Sequence, residues 1–169
     1  MTTKFTRDSA EKVFDIVEQR LAPYCKARPG GQYIELVGAV RRRRPWVHDV
    51  DVVLIPSADA WNLYHEILEL NKLFKPKPDG PKIKNISVGG IPVDLYIADE
   101  KTWATLLLIR TGSSRNNIRL CTLARNKGWQ LKADGSGLFN EKGERIAGDT
   151  ELSIYRALGA NYQEPWERE

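Results

Sequence analysis

Three aspartates are the residues of this sequence whose type and spacing could do chemistry. Asp49 and Asp51 stand two residues apart in the segment 48–52, and Asp94 stands far downstream in 92–96. Each lies in an apolar, β-branched run that is typical of a strand. Residues i and i+2 of a strand point to the same face, so Asp49 and Asp51 should project side by side. Adjacent carboxylates repel unless a cation lies between them, and a third carboxylate would complete an oxygen-rich site suited to Mg²⁺.

An arginine run, Arg41–Arg44, lies between Gly38 and the first aspartate. A glycine turn lets backbone N–H groups approach an anion closely, and guanidinium groups bind phosphate oxygens through charge-assisted hydrogen bonds. A glycine turn, arginines and carboxylates together are the parts that metal-assisted nucleotidyl transfer requires.

Each of these parts also has a purely structural interpretation. A lone Asp-x-Asp is usually the solvated face of an amphipathic strand, and a lone arginine run is more often a solvated patch that attracts nucleic acid in general. Asp94 alone could protect a sheet edge against aggregation. Because order, spacing and strand context agree, the conjunction favours the site.

The sequence resembles the family X DNA polymerases, the small repair polymerases of the nucleotidyltransferase superfamily. The resemblance runs from about Phe14 to the C-terminus. It rests on Gly38-Ala-Val-Arg-Arg42, Asp49-Val-Asp51, Asp94, Thr111-Gly-Ser113 with Asn117, Gly137-Leu-Phe139, Glu144-Arg-Ile-Ala-Gly148 and Leu158-Gly159. The Thr-Gly-Ser segment and the tail lie outside the minimal nucleotidyltransferase signature, so they make the resemblance specific to the family.

The resemblance implies a DNA-directed DNA polymerase that adds deoxynucleotides to a primer 3′-hydroxyl, with gap filling in DNA repair as its setting. It implies that Asp49, Asp51 and Asp94 are catalytic and ligate two Mg²⁺ ions, for which Mn²⁺ can substitute, with Asp94 ligating only the ion that activates the primer. The implied partners are nucleoside triphosphates and a DNA primer-template or gapped duplex.

Two further sets of residues complete the predicted site. The nucleotide-binding set, by resemblance, is Gly38, Ala39, Arg42, Thr111, Gly112 and Asn117. In this set the Thr111-Gly112 backbone lies along the sugar, and Asn117 reaches the minor-groove edge of the incoming base. The DNA-binding set, from clustered positive charge, is Arg43, Arg44, Lys82, Lys84, Arg115 and Arg119.

The sequence departs from the family pattern at several places. Ala39 replaces a serine, and Ile109-Arg110 replaces an aromatic pair of which one member excludes the ribose 2′-hydroxyl. Cys121 stands where many relatives carry an arginine that touches the template. Before residue 9 there is room for neither a lyase domain nor a helix-hairpin-helix region, so a reduced form similar to compact viral members is expected.

Three functions therefore stay open. The first is the template-directed polymerase, and the second is a template-independent or ribonucleotide-using nucleotidyltransferase. The third is a nucleic-acid-binding protein without activity, against which the intact aspartate triad argues.

Composition places limits on the class of protein. The 41% hydrophobic and 28% charged content is that of a globular, water-soluble chain, and no apolar run approaches the roughly 20 residues of a membrane span. The first residues lack the apolar core of a secretion signal. A monomer that is cytoplasmic, or virally encoded in a host cell, is expected, with no membrane partner. Cys25 and Cys121 are interpreted as free thiols.

The elements that must position these residues form an α+β fold. We expect a polymerase beta-like nucleotidyltransferase palm over 1–100, with a mixed sheet flanked by helices, and a small C-terminal α/β lobe, the thumb or fingers, over 101–169. The helices are predicted at 9–21, 57–70, 99–110, 114–127 and 149–159, the strands at 33–37, 47–55, 83–88, 91–97, 129–131 and 137–139, and an irregular basic loop at 75–81. On the second helix, Trp61, Tyr64, Ile67 and Leu68 are predicted to face inward.

Overall fold

The computed structural model describes residues 2–71 and 81–169, so all but the last residue of the predicted basic loop lies outside the described residues. The chain divides into two compact units, Met1–Ala98 and Asp99–Glu169. Helices and strands occur in both units, so the predicted α+β class is confirmed. In the described part, no helix is long and apolar enough to cross a membrane.

A four-stranded mixed sheet forms the centre of the first unit. Its order is β4 (Ile34–Leu36), β6 (Val50–Leu54), β8 (Ile91–Ile97) and β7 (Ile83–Val88). The central pair β6 and β8 is parallel, and the two outer pairings are antiparallel. Strands β7 and β8 join through Gly89-Gly90 as the predicted hairpin.

The first helix, α1 (Arg7–Leu21), packs a regular apolar stripe on this sheet. Its buried residues are Ala10, Val13, Val17 and Leu21. The predicted N-cap Ser9 is wrong, because the Thr6 hydroxyl accepts a hydrogen bond from the Ser9 backbone N–H at 3.2 Å and caps the helix three residues earlier.

The predicted strand 47–55 is interrupted. Its first part, β5 (Trp46–Val47), pairs antiparallel with the N-terminal strand β1 (Phe5–Thr6), and β6 begins only at Val50. A second short hairpin joins β2 (Ala27–Arg28) to β3 (Gly31–Gln32). The interruption leaves Asp49 outside any strand, whereas Asp51 lies within β6.

The helix α3 (Ala60–Leu70) differs from the prediction in its start and in its buried face. Its N-cap is Asp59 instead of Ser57. Leu63 and Ile67 are buried, but Trp61 and Leu68 are 76% and 67% exposed, so their predicted inward placement is wrong. Residues four apart share a helix face, and Leu63 with Ile67 is the pair turned to the core.

The second unit surrounds a smaller apolar core. Its elements are α4 (Trp103–Thr111), α5 (Ser114–Asn126), β9 (Gln130–Lys132), β10 (Gly137–Phe139), β11 (Arg145–Ala147) and α6 (Glu151–Ala157). The strands form an antiparallel sheet in the order β11, β10, β9, which adds one strand to the predicted hairpin. Helix α4 begins after the predicted Asp99, because the Asp99 carboxylate accepts hydrogen bonds from the Lys101 and Thr102 backbone N–H groups in a preceding turn.

Each unit contains one free cysteine. Cys25 is buried in the core of the first unit, and burial raises the pKa of its thiol to about 12. Burial also raises the pKa of the Cys121 thiol, and Arg125 lowers it in part. Both thiols are therefore protonated near neutral pH, and Cys25 is the less reactive of the two.

Candidate active site

Two of the three predicted aspartates lie side by side. The parallel register of β6 and β8 pairs Asp51 with Asp94. The neighbours Val50, Val52, Val93 and Leu95 are fully buried and belong to the main core. Because side chains alternate across a strand, Asp51 and Asp94 occupy the opposite face of the sheet, on adjacent strands roughly 5 Å apart.

Asp49 does not lie on a strand, contrary to the prediction. It precedes β6, so strand alternation does not set the direction of its side chain. In residues 2–71 and 81–169, no group of three or more His, Cys, Asp or Glu side chains is arranged to hold a metal ion. The ligand set of Asp49, Asp51 and Asp94 thus stays a prediction, although its carboxylate oxygens are ligands of the kind that Mg²⁺ prefers.

Gly38 packs directly against Asp51. Its φ is +66°, and a Cβ atom at this position would lie 2.9 Å from the Asp51 Cγ and 3.0 Å from its Cβ. Just before it, the Val37 N–H donates to the Asp51 carbonyl at 2.8 Å. Glycine is therefore required twice, for its backbone conformation and for its lack of a side chain, and it starts the short helix α2 (Gly38–Arg41) against the carboxylate.

The hydroxyl of Tyr96 is a partner of Asp51 that sequence reasoning missed. It donates to the Asp51 Oδ1 at 3.2 Å. Tyr96 lies two residues after Asp94 on β8, so it stands on the same face of the sheet as both aspartates. The i+2 spacing was the available signal. A donor in this position fixes the orientation of the carboxylate, as outer partners of metal ligands commonly do.

Arg42 lies in the electrostatic field of Asp51. Burial lowers the pKa of the Arg42 guanidinium, Arg44 lowers it further, and Asp51 raises it. An arginine stays charged under these influences. Hydrogen bonds hold the backbone of the arginine run in place. The Arg43 N–H donates to the Val40 carbonyl at 2.8 Å, and the Arg44 N–H donates to the Ala39 carbonyl at 3.1 Å.

In the second unit, Gly112-Ser113 separates α4 from α5 at the predicted break, and Thr111 is the last residue of α4. Gly112 has a φ of +70°, and the Ser113 hydroxyl caps α5 by accepting from the Asn116 N–H at 3.2 Å. The Asn117 side-chain amide donates to the Ile109 carbonyl at 2.8 Å. The residue predicted to read the base is thus bonded to the backbone two residues before the predicted sugar contact Thr111-Gly112.

Next to Asn117, a closed ring of polar contacts joins α5, α6 and the C-terminal tail. Buried Asn116 donates to the Tyr155 hydroxyl at 3.1 Å and accepts from Arg119 at 3.1 Å. Arg119 also donates to the Gln163 side chain at 2.7 Å. Arg168 closes the ring, since it donates to the Gln163 carbonyl at 3.0 Å and lies 5.7 Å from the Tyr155 ring centre. Sequence reasoning identified none of these ring contacts.

The predicted DNA-binding residues are placed in both units. The Lys84 ammonium lies 5.7 Å from the Tyr64 ring centre, and Lys82 is exposed at the start of the same hairpin. Arg115 is exposed on α5, whereas Arg119 of the same helix is a member of the polar ring. The assignment of these residues to DNA stays a prediction.

Comparison with known proteins identifies the fold. Residues 106–169 match the family model described as DNA polymerase beta thumb. The solved structure of Leishmania infantum polymerase beta, a ternary P/T complex, is similar with a TM-score of 0.80 and 20% identity, over 99% of this chain and 77% of that chain. The second unit thus matches a polymerase beta thumb, and the chain as a whole has a polymerase beta-like fold. Among the curated proteins, none matches its sequence.

The family X resemblance and the polymerase beta-like fold that the motifs predicted are confirmed. The thumb match includes Thr111, Gly112 and Asn117, together with the polar ring. It begins after Asp49, Asp51 and Asp94, for which the comparison rests on the fold alone.

Proposed function

We propose that this protein is a DNA-directed DNA polymerase that adds deoxynucleotides to a primer 3′-hydroxyl by two-metal-ion catalysis and fills gaps during DNA repair. The pairing of Asp51 with Asp94 in adjacent parallel strands carries this proposal. Asp49 immediately before β6 and Gly38 against the Asp51 carboxylate support it. The thumb match and the polymerase beta-like fold support the same function.

The proposed metal ligands are Asp49, Asp51 and Asp94. When bound there, Mg²⁺ lowers the pKa of a hydroxyl group and neutralises negative charge on the triphosphate. The roles of the chain's own residues follow from their contacts. Tyr96 orients Asp51 through its hydroxyl. Arg42 binds the triphosphate through its guanidinium, which interacts electrostatically with the Asp51 carboxylate.

The proposed nucleotide contacts begin at Gly38, whose lack of a side chain lets the Ala39 N–H approach a phosphate. In the second unit, Thr111 and Gly112 contact the sugar and Asn117 contacts the base edge. The proposed DNA partner is a primer-template or a gapped duplex, and the P/T complex of the Leishmania infantum protein agrees with it.

Primer extension tests the proposal directly. A labelled primer is presented in a duplex with a one-nucleotide gap and, separately, as a single strand, with each of the four deoxynucleotides and with Mg²⁺. The expected result is incorporation of the complementary nucleotide on the gapped duplex only. Incorporation on the single strand without regard to a template would instead favour the template-independent nucleotidyltransferase, and no incorporation on either would contradict both.

A further inference from the structure

We infer that Trp46 is a stacking platform for an unpaired base of the nucleic-acid substrate. The inference rests on the proposed function for the identity of the partner, and on the placement of Trp46 for the contact. Trp46 is 57% exposed, although tryptophan is mostly buried in folded proteins. It lies at the end of the arginine run and three residues before Asp49.

The pairing of β5 with β1 fixes Trp46 on the outside of the unit. Val47 pairs with Phe5, is 1% exposed and belongs to the main core. Trp46 pairs with Thr6 and must therefore point the other way, because successive residues of a strand alternate. The ring is thus exposed by the register of the sheet, and no rotation of the side chain can bury it in the same core.

The backbone just before Trp46 is held by two hydrogen bonds from Arg7. The Arg7 N–H donates to the Pro45 carbonyl at 3.0 Å, and the Arg7 guanidinium donates to the Arg43 carbonyl at 3.2 Å. The backbone that carries the ring therefore loses little conformational freedom when a ligand binds. Preorganisation of this kind raises affinity by lowering the entropy cost of binding.

The charge around Trp46 suits a phosphate backbone. Arg43, three residues before it, is exposed and Arg44, two residues before it, is half-buried, and Lys4 is exposed next to the paired strand β1. The nearest acidic residue of α1, Asp8, is paired with Lys12 at 2.7 Å. Cations next to an exposed aromatic ring are the pattern by which proteins bind single strands, where phosphates meet the cations and a base stacks on the ring.

The occupant is an unpaired base, since the faces of bases inside a duplex are already covered by their neighbours. Trp61 supplies a matched control. It is 76% exposed, but it lies on α3 two residues after Asp59, without an arginine run. Exposure alone therefore predicts equal effects of the two tryptophans, whereas a stacking platform predicts an effect of Trp46 only.

The test measures DNA affinity by fluorescence anisotropy, with single-stranded oligothymidylate, a gapped duplex and a blunt duplex without unpaired bases. Trp46→Ala should weaken binding of the first two about tenfold and leave the blunt duplex unchanged, whereas Trp61→Ala should leave all three unchanged. Trp46→Phe keeps a ring and should retain most of the affinity. The dependence on salt should stay as in the wild type for Trp46→Ala and become shallower for Arg44→Ala, since only the latter removes a phosphate contact.

Three results would overturn the inference: unchanged single-strand affinity in Trp46→Ala, an equal loss in Trp61→Ala, or a Trp46→Phe variant as weak as Trp46→Ala. Circular dichroism melting identifies unfolding of Trp46→Ala, and Trp46→Phe then decides the test, with retained affinity in favour and lost affinity against. These binding assays need no incorporation. Failure of the wild type to extend a primer would reject the proposed function and leave the stacking result standing.

Discussion

At the scale of single residues, the contacts of the first unit converge on Asp51. Asp94 is its partner across the parallel strands, Tyr96 donates to its carboxylate, and Gly38 leaves the space that the carboxylate occupies. Its field also reaches Arg42. A carboxylate that is oriented from several sides is suited to bind a cation in one geometry, because its rotamer is chosen before the cation arrives.

The first prediction concerns Asp94. Asp94→Asn should abolish nucleotide incorporation on gapped DNA, because an amide is a weak substitute for a carboxylate as a Mg²⁺ ligand. The melting temperature should hold or rise, since the change also relieves repulsion from Asp51. Incorporation assays test the loss of activity, and thermal melting without metal tests the change in stability. Unchanged incorporation would remove Asp94 from the site, and a fall of many degrees would make its role structural.

The second prediction concerns Tyr96 as a positioning residue. Tyr96→Phe removes only the hydroxyl that donates to Asp51, and the affinity for the divalent ion should fall about tenfold or more. Titration of the protein with Mn²⁺ by calorimetry measures this without any reaction. Tyr64→Phe is the matched control, since Tyr64 faces Lys84 instead of the aspartates. An increased affinity in Tyr96→Phe would mean that the hydroxyl competes with the metal.

At the scale of elements, the break between α4 and α5 is bridged by one of the predicted nucleotide contacts. Asn117 bonds to the Ile109 carbonyl across this break. An aromatic side chain that could exclude a ribose 2′-hydroxyl is missing at positions 109 and 110, where the sequence has isoleucine and arginine.

The third prediction is that the proposed polymerase activity discriminates weakly against ribonucleotides. The ratio of kcat/KM for a deoxynucleotide to that for its ribonucleotide should lie within about a hundredfold, or ~3 kcal/mol. Ile109→Tyr should raise the ratio by restoring a ring near the sugar. Both ratios are measured on the same gapped duplex. A wild-type ratio far above a thousandfold would show that another group excludes the 2′-hydroxyl.

The fourth prediction concerns the buried ion pair that anchors the C-terminal tail on α6. Arg168 is fully buried and bonds to Glu151 at 2.6 Å. Arg168→Met leaves this carboxylate without its partner and should lower the free energy of unfolding by about 3–5 kcal/mol. Chemical denaturation measures the loss, and Arg156→Met on the exposed face of the same helix should change little. Equal losses in both variants would exclude a special role for the pair.

Individual elements show how much of the fold could be predicted from the sequence. The hairpin of β7 and β8 was predictable, because alternating apolar residues flank a Gly-Gly turn. The interruption at residues 48–49 was not, because it depends on the pairing of Trp46 and Val47 with a two-residue strand from the N-terminus. Local pattern cannot show such a distant partner. The exposure of Trp61 is similar, since periodicity fits more than one helix face and packing selects Leu63 and Ile67.

The same limit applied to the candidate site. The motifs led to the aspartates and to Gly38, since their residue types carry the chemistry. The Tyr96 bond and the polar ring around Asn116 went unpredicted, because each joins residues that are distant in the chain. Tyrosine and asparagine are also common in structural roles, so their identity alone gave no signal.

At the scale of the whole molecule, the positive charge is concentrated in a few clusters along the sequence, in both units. The net charge of +4 is modest, but arginines and lysines cluster at 41–44 and 82–84 in the first unit and at 115–127 in the second. Each cation that contacts a phosphate releases condensed counterions. Association with DNA should therefore depend more on these clusters than on the net charge.

The fifth prediction is that affinity for gapped DNA falls steeply with salt. If about six cations contact phosphates, the affinity should drop roughly a thousandfold between 50 and 200 mM salt. Anisotropy titrations at several salt concentrations give the slope of log affinity against log salt. Neutralising one cation at a time, for instance in Arg44→Gln or Arg115→Gln, should lower the slope by about one for each residue that contacts a phosphate. Salt-insensitive binding would mean that stacking and polar contacts supply most of the affinity. Trp46 would then be the first residue to test.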